Sequence, residues 1–264
     1  SLFSGEFLGG VAYGIHVSIF ATTAYFMTQN KSWRKAPRVL FGVACILFIL
    51  GTIIIATNTK LMEQAFIDDR NIPGGPLGWL EQYYGEPLVI FGNAAYITAN
   101  FLADGLLIYR LLVLWDYNHY IMTIPVLSYL GSTALSILTL FQAARPGSTL
   151  ATHNTVVFAV PYWSLSISLN LLVTLLIVLR LLMWRSKVIG VLGPQHSKTY
   201  TSIAAMMIES AALFSVAGLI FIICFARQSH VQNLILPVLG QIMCMSPELI
   251  IMRVALGRAW SRDT

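Results

Sequence analysis

Charge is scarce in this chain. Only 10% of its 264 residues are Asp, Glu, Lys or Arg, against about 25% in a soluble globular domain. That shortage excludes a water-facing surface over most of the chain. Cysteine is scarce as well. Cys45, Cys224 and Cys244 all lie in or at the end of apolar runs, so no disulfide framework follows from them. No low-complexity tract, soluble domain or internal repeat is visible. Several membrane chemistries also lack their residues. The last apolar run has no lysine for a retinal Schiff base. Four of the five histidines, His119, His153, His196 and His230, fall in loops or at run ends, which leaves an intramembrane zinc hydrolase without ligands at one level. No Gly-x-Ser-Gly paired with a helix histidine supports a serine protease. "IDDRN" (67–71) lacks the third acid of an Asp-Asp-x-x-Asp motif, and "LGPQHSK" is a short polar connection, not a phosphate loop. Asp-Arg-Tyr, Asn-Pro-x-x-Tyr and an outer-loop disulfide, the marks of the largest receptor class, are missing.

What is present is oil. The chain is 57% hydrophobic, with a mean hydropathy of +0.74. The net charge of +5 sits at the ends of apolar runs, which fits a bilayer and not nucleic acid. A membrane helix needs about 20 apolar residues. Seven stretches qualify, at about 7–28, 39–59, 87–115, 121–144, 156–183, 200–225 and 234–257. They are too long for barrel strands of about 10 residues, and backbone groups in lipid must pair within their own segment. The chain therefore reads as all-α, one seven-helix transmembrane domain over residues 1–264. The first run is too long and too polar at its start for a signal peptide, and no basic region precedes it.

Twelve of the 16 basic residues fall on one side, in the 1–2 connection, the 5–6 connection, the C-terminal end and at Arg110. The positive-inside rule then puts the N-terminus outside or in the lumen and the C-terminus in the cytosol. The sequon Asn30-Lys31-Ser32 falls on the cytosolic side and is expected to stay unglycosylated. The one long loop, 60–86, carries the break "NIPGGP" and the aromatics Trp79, Tyr83 and Tyr84. Two readings of it stand level: a cap over the outer mouth, or an interfacial anchor.

Three acids lie inside the runs: Asp104, Glu209 and Glu248. Rise per residue puts each roughly 14–16 Å from the cytosolic end of its helix. A charged side chain at mid-bilayer costs about 2.5–3.5 kcal/mol and normally faces the bundle interior. Asp104 shares one helical stripe with Asn93, Tyr96 and Asn100. The fifth run carries Tyr162, Ser166 and Asn170, the fourth Ser128, Ser132 and Ser136, the seventh Gln241 and Glu248, and the first His16. A polar interior follows, although serines also serve close helix packing. An ion pair of Asp104 with Arg110 or Arg253 competes with a functional role for that acid. Glu209 has no basic partner on its own helix. Pro247 is expected to kink the last helix. "GGVAYG" (9–14) can pack within the bundle or against another protomer, so a homo-oligomer stays open.

Four segments carry a resemblance: "NFLADGLLIYRLLVLW" (100–115), "LSYLGSTALSI" (127–137), "SIAAMMIESAALFSVAGLIF" (202–221) and "GQIMCMSPELIIMRVALGRAW" (240–260). In content and order they resemble a large seven-helix membrane family of mushroom-forming (basidiomycete) fungi. The resemblance implies a fungal origin and a seven-helix fold, and no activity. Asp104, Arg110, Glu209 and Arg253 fall on its recurring motifs.

Three functional readings follow. In the first, a receptor-like or sensor protein binds a small lipophilic molecule through Asn93, Tyr96, Asn100, Asp104, Tyr162, Asn170, Glu209, Gln241 and Glu248. In the second, an intramembrane enzyme uses Asp104, Glu209 and Glu248 as acids, in the manner of terpene cyclases, with aromatics such as Tyr96, Tyr162 and Trp163 shielding a carbocation. The third, a proton-coupled transporter, lacks the usual repeats. No cofactor and no metal is expected. The partners are membrane lipid and a lipophilic molecule, not nucleic acid, in the plasma membrane or endoplasmic reticulum.

Overall fold

The fold comes from a computed structural model, which describes residues 2–29, 35–69, 71–83, 85–145, 153–192, 198–227, 229 and 231–260. Of these, the side chains of 29, 35–37, 77, 80, 81, 153–156, 187–192, 198–204, 206, 210 and 253–260 are left aside. The expectations placed on Asn30, Lys31, Ser32, Tyr84 and the Arg253 side chain lie outside the described residues.

Eight helices and no strand are found among the described residues: α1 Leu2–Gln29, α2 Lys35–Glu63, α3 Gly75–Gln82, α4 Pro87–Leu114, α5 His119–Ala143, α6 His153–Leu192, α7 Lys198–Ala226 and α8 Gln232–Trp260. All but α3 are long and apolar enough to cross a membrane. These are the seven expected runs, and they make the chain an integral membrane protein with a seven-helix bundle.

The surface explains the composition. On α1, Phe7, Val11 and Ile15 recur every fourth residue and stand exposed, while Ala12, His16 and Thr23 are buried. The outside is oil and the inside holds the polar groups, an arrangement suited to lipid. Neighbours pack α1–α2–α4–α5–α6–α7–α8, and α8 closes back on α1. Helices α4 and α8 also touch each other, and α4 reaches α6 and α8 reaches α2. These two helices therefore carry the centre of the bundle, and both carry buried acids.

Small residues let the helices close up. A Cβ on Gly9 would come within 2.8 Å of Pro237 Cβ on α8, whereas Gly10 and Gly14 have nothing within 4 Å. One face of "GGVAYG" thus serves the bundle and the other is outward. Ser132 and Ser136 of α5 are buried, and their hydroxyls donate to Tyr129 O and Thr133 O of their own helix. That is packing use, not a site. Helix α8 continues through Pro237 and Pro247.

The long loop breaks where expected, and its first residues are helical. They extend α2, which ends in a π-helical turn at Gln64–Asp68. The break spans 71–74, with Gly74 at φ 89°, and α3 follows. Trp79 is buried within the protein and does not stand free on its surface. It is 3% exposed, and its Nε1 donates to Asp69 Oδ2 at 2.9 Å. The indole finds its acceptor inside the loop, so it gains by burial against Leu61, Val89 and Ala143.

Candidate functional site

Three features share the interior. The first is a cavity of about 190 Å³ at the end of the bundle where α1 begins. The starts of α1, α4, α6 and α8 and the ends of α2, α5 and α7 line it. Its deep wall is aromatic. Tyr96 meets Trp163 edge to face at 5.3 Å, Tyr162 lies 5.1 Å from Trp163, and Phe221 and Phe225 continue the wall. Such pairs hold their rings in fixed relative poses. The hydroxyls of Tyr96 and Tyr162 are buried with no partner among the described residues. Buried hydroxyls normally find one, so these two are available to a guest. Asn58, Asn93, Asn233 and Glu6 add polar groups to the lining. No described side chain of α3 lines the cavity, whereas Leu61 and Met62, where the long loop was expected to start, do.

The second feature joins α1, α2 and α8. His16, Gln241 and Glu248 are all 0% exposed. Gln241 Nε2 donates to Gly51 O at 2.9 Å. That fixes the amide, so its Oε1 faces His16 Nδ1 at 2.9 Å. An amide oxygen only accepts, so Nδ1 carries the hydrogen. His16 Nε2 then stands 3.2 Å from Glu248 Oε1. A bare ring nitrogen against a buried carboxylate would leave the charge uncompensated. One proton therefore belongs to the pair, as imidazolium with carboxylate or as imidazole with acid. No other described group reaches either Glu248 oxygen. Gly51 makes the arrangement possible, since a Cβ there would lie 2.7 Å from His16 Cε1.

The third feature joins α4 and α6. Asn100 Nδ2 donates to Asp104 Oδ2 at 3.1 Å, and Ser166 Oγ donates to the same oxygen at 3.0 Å. Asn100 and Ser166 also bond to each other. The i, i+4 spacing of Asn100 and Asp104 brings them together on one face, and Ser166 meets them from α6. Asn170, one turn past Ser166, is buried and its Oδ1 has no described partner.

The structure separates the sequence-derived candidates into groups. Asn93, Tyr96 and Tyr162 line the aromatic cavity. Asn100, Asp104 and Asn170 meet around a smaller pocket. Gln241 and Glu248 belong to the histidine cluster. Glu209 joins none of these. It is exposed, because it lies two residues from each of the buried Met207 and Ala211 and so on the far side of α7. The Asp104–Arg110 ion pair is replaced by the bonds to Asn100 and Ser166. Six residues are about one and two-thirds turns, so Arg110 points elsewhere. His16, weighed as a plain polar contact, is the partner of two candidate residues at once. Its signal was the only histidine deep in a run. Glu6 was read as outside the first span.

No family model matches the chain, and neither does any curated protein or solved structure. What is established is a seven-helix integral membrane protein with an aromatic chamber at one end and two separate buried acid clusters.

Proposed function

We propose that this protein is a receptor-like binding protein that holds a small lipophilic molecule in the aromatic chamber. One observation carries the reading: the chamber's walls are rigid rings, and two buried tyrosine hydroxyls beside it have no partner among the described residues. Binding sites are mostly apolar with a few placed polar groups. The guest would have an apolar body and one hydroxyl or carbonyl for Tyr96 and Tyr162. Acid chemistry on the three carboxyls read from the sequence has less support, because none of Asp104, Glu209 and Glu248 lines the chamber, and Glu6, which does, accepts a hydrogen bond from Thr59. The resemblance to the fungal seven-helix family is compatible with this proposal and adds no activity to it.

The test uses protein purified from a yeast host. Bound small molecules are extracted and compared by mass spectrometry between wild type and Ala159→Phe, which fills the chamber from a wall position 4% exposed. A host lipophile retained by wild type and lost from the variant is the expected result. Equal retention by both would sink the proposal. A new lipophilic product in the host, lost with Asp104→Asn or Glu248→Gln, would instead make the protein an enzyme.

A further inference from the structure

The aromatic chamber has a sign as well as a shape, and the charge of its guest follows from that sign once the lipophile reading above is granted. Glu6 of α1 is the only charged residue in the described lining. The remaining polar groups there are neutral amides and hydroxyls. Glu6 stands at the mouth. Its neighbour Gly5 abuts Asn233 near the start of α8, whereas Tyr96 of the deep wall abuts Gly240. The seven residues of α8 between those levels span roughly 10 Å.

The carboxylate is held but not neutralised by its described neighbours. Its Oε1 accepts from Thr59 Oγ1 of α2 at 2.9 Å, and a hydroxyl carries no counter-charge. The adjacent cation, Lys60, is taken by Glu63 at 3.0 Å. Glu6 is partly exposed, so water and a guest can both reach it.

The rings add the same sign. The face of an aromatic ring is negative and attracts a cation. Phe225 sits in the last turn of α7, near the mouth, and Phe221 and Trp163 continue inward from it. A fatty acid or a lipid phosphate would meet a carboxylate and ring faces, with no cation in the described lining to receive it. A neutral lipophile gains nothing from the charge on Glu6. A molecule with an apolar body and one ammonium group uses both the wall and the acid.

We propose that the guest of the chamber is a lipophilic organic cation, an amine whose ammonium pairs with Glu6 at the mouth while its body lies along Phe225, Phe221 and Trp163. A hydroxyl or carbonyl roughly 10 Å further along that body would reach Tyr96.

Three probes with one carbon chain and different charge test this: decylammonium, decanol and decanoate. Saturable binding of each radiolabelled probe is measured on the full chain in a non-ionic detergent, with empty micelles subtracted. Decylammonium is expected to bind roughly tenfold tighter than decanol, about the worth of one hydrogen bond to a charged group, and decanoate to bind weakest. Glu6→Gln removes the decylammonium advantage and leaves decanol unchanged. Its amide oxygen can still accept from Thr59, so the fold is kept. Ala159→Phe abolishes binding of decylammonium and decanol alike. If Glu6→Gln nevertheless fails to fold, the order of the three probes on wild type still decides. Equal binding of decylammonium and decanol, both lost in Ala159→Phe, overturns the cation and leaves the lipophile reading standing. Tighter binding of decanoate, or a decylammonium preference that survives Glu6→Gln, also overturns it. Probe binding that survives Ala159→Phe, or no saturable binding of any probe, counts against the chamber as well as the cation.

Discussion

Glu248 and Asp104 are two carboxylic acids buried in the same bundle, and they are settled in opposite ways. Glu248 has a base of its own, His16, on another helix, and that base is pinned by Gln241 and Gly51. Among the described residues Asp104 has only dipoles, from Asn100 and Ser166, and it borders a small pocket. The first cluster is closed by residues of the chain itself. The second is held, among the described residues, by neutral groups alone. A buried acid alone therefore does not mark function in a membrane. What distinguishes the two is whether the neighbouring helices bring the counter-charge.

Substitutions can break this contrast. The largest effect should come from the closed cluster. His16→Leu or Glu248→Met alone leaves one member buried and unpaired, and should cost about 3–5 kcal/mol of stability. The two together should recover most of that loss, since a well-packed apolar pair replaces a buried ion pair at little cost. Thermal unfolding in detergent measures all three. Single variants as stable as wild type would mean that the cluster is not closed.

Next is Gly51→Ala. Its methyl would push the His16 ring off its partners, at about 1–3 kcal/mol, in the same assay. The open features should respond differently. Tyr96→Phe and Tyr162→Phe should weaken retention of the chamber's guest by about 0.5–1.5 kcal/mol each, up to roughly tenfold in affinity. Stability should hold or rise slightly, because the hydroxyls removed have no described partner. Asp104→Asn should change stability by no more than about 1 kcal/mol, as the amide oxygen can accept the same two bonds. The smallest effect belongs to Glu209→Gln, within about 0.5 kcal/mol. A large loss there would place Glu209 at a contact outside this chain, such as a second copy.

Much of the fold was legible because periodicity is a one-helix property. The seven runs, the Asn93–Tyr96–Asn100–Asp104 stripe and the Tyr162–Ser166–Asn170 stripe needed only the spacing of residues along one chain segment. The partnerships were not legible in this way. His16 and Gln241 are far apart in sequence, and no local pattern says that the first helix closes against the last. Glu209 shows the same limit from the other side. Its face could have been read from Met207, Ala211, Phe214 and Ser215, but an acid among apolar residues draws the eye inward. The burial of Trp79 was not legible either, because its acceptor, Asp69, lies across a turn whose geometry depends on Gly74.

The two glycines of α1 that touch α8 have a further consequence. Gly5 abuts Asn233 and Gly9 abuts Pro237, so the two helices run side by side in the same direction with one constant numerical offset. Carried on to His16, that offset lands on Cys244, midway between Gln241 and Glu248. The histidine can thus reach back with one ring nitrogen and forward with the other. The helices behave as a key and its slot: sliding either by a single residue would turn its face by more than a quarter of a revolution and release both contacts together. An insertion anywhere between Pro237 and Glu248 should therefore be far less tolerated than one in the turn before α8.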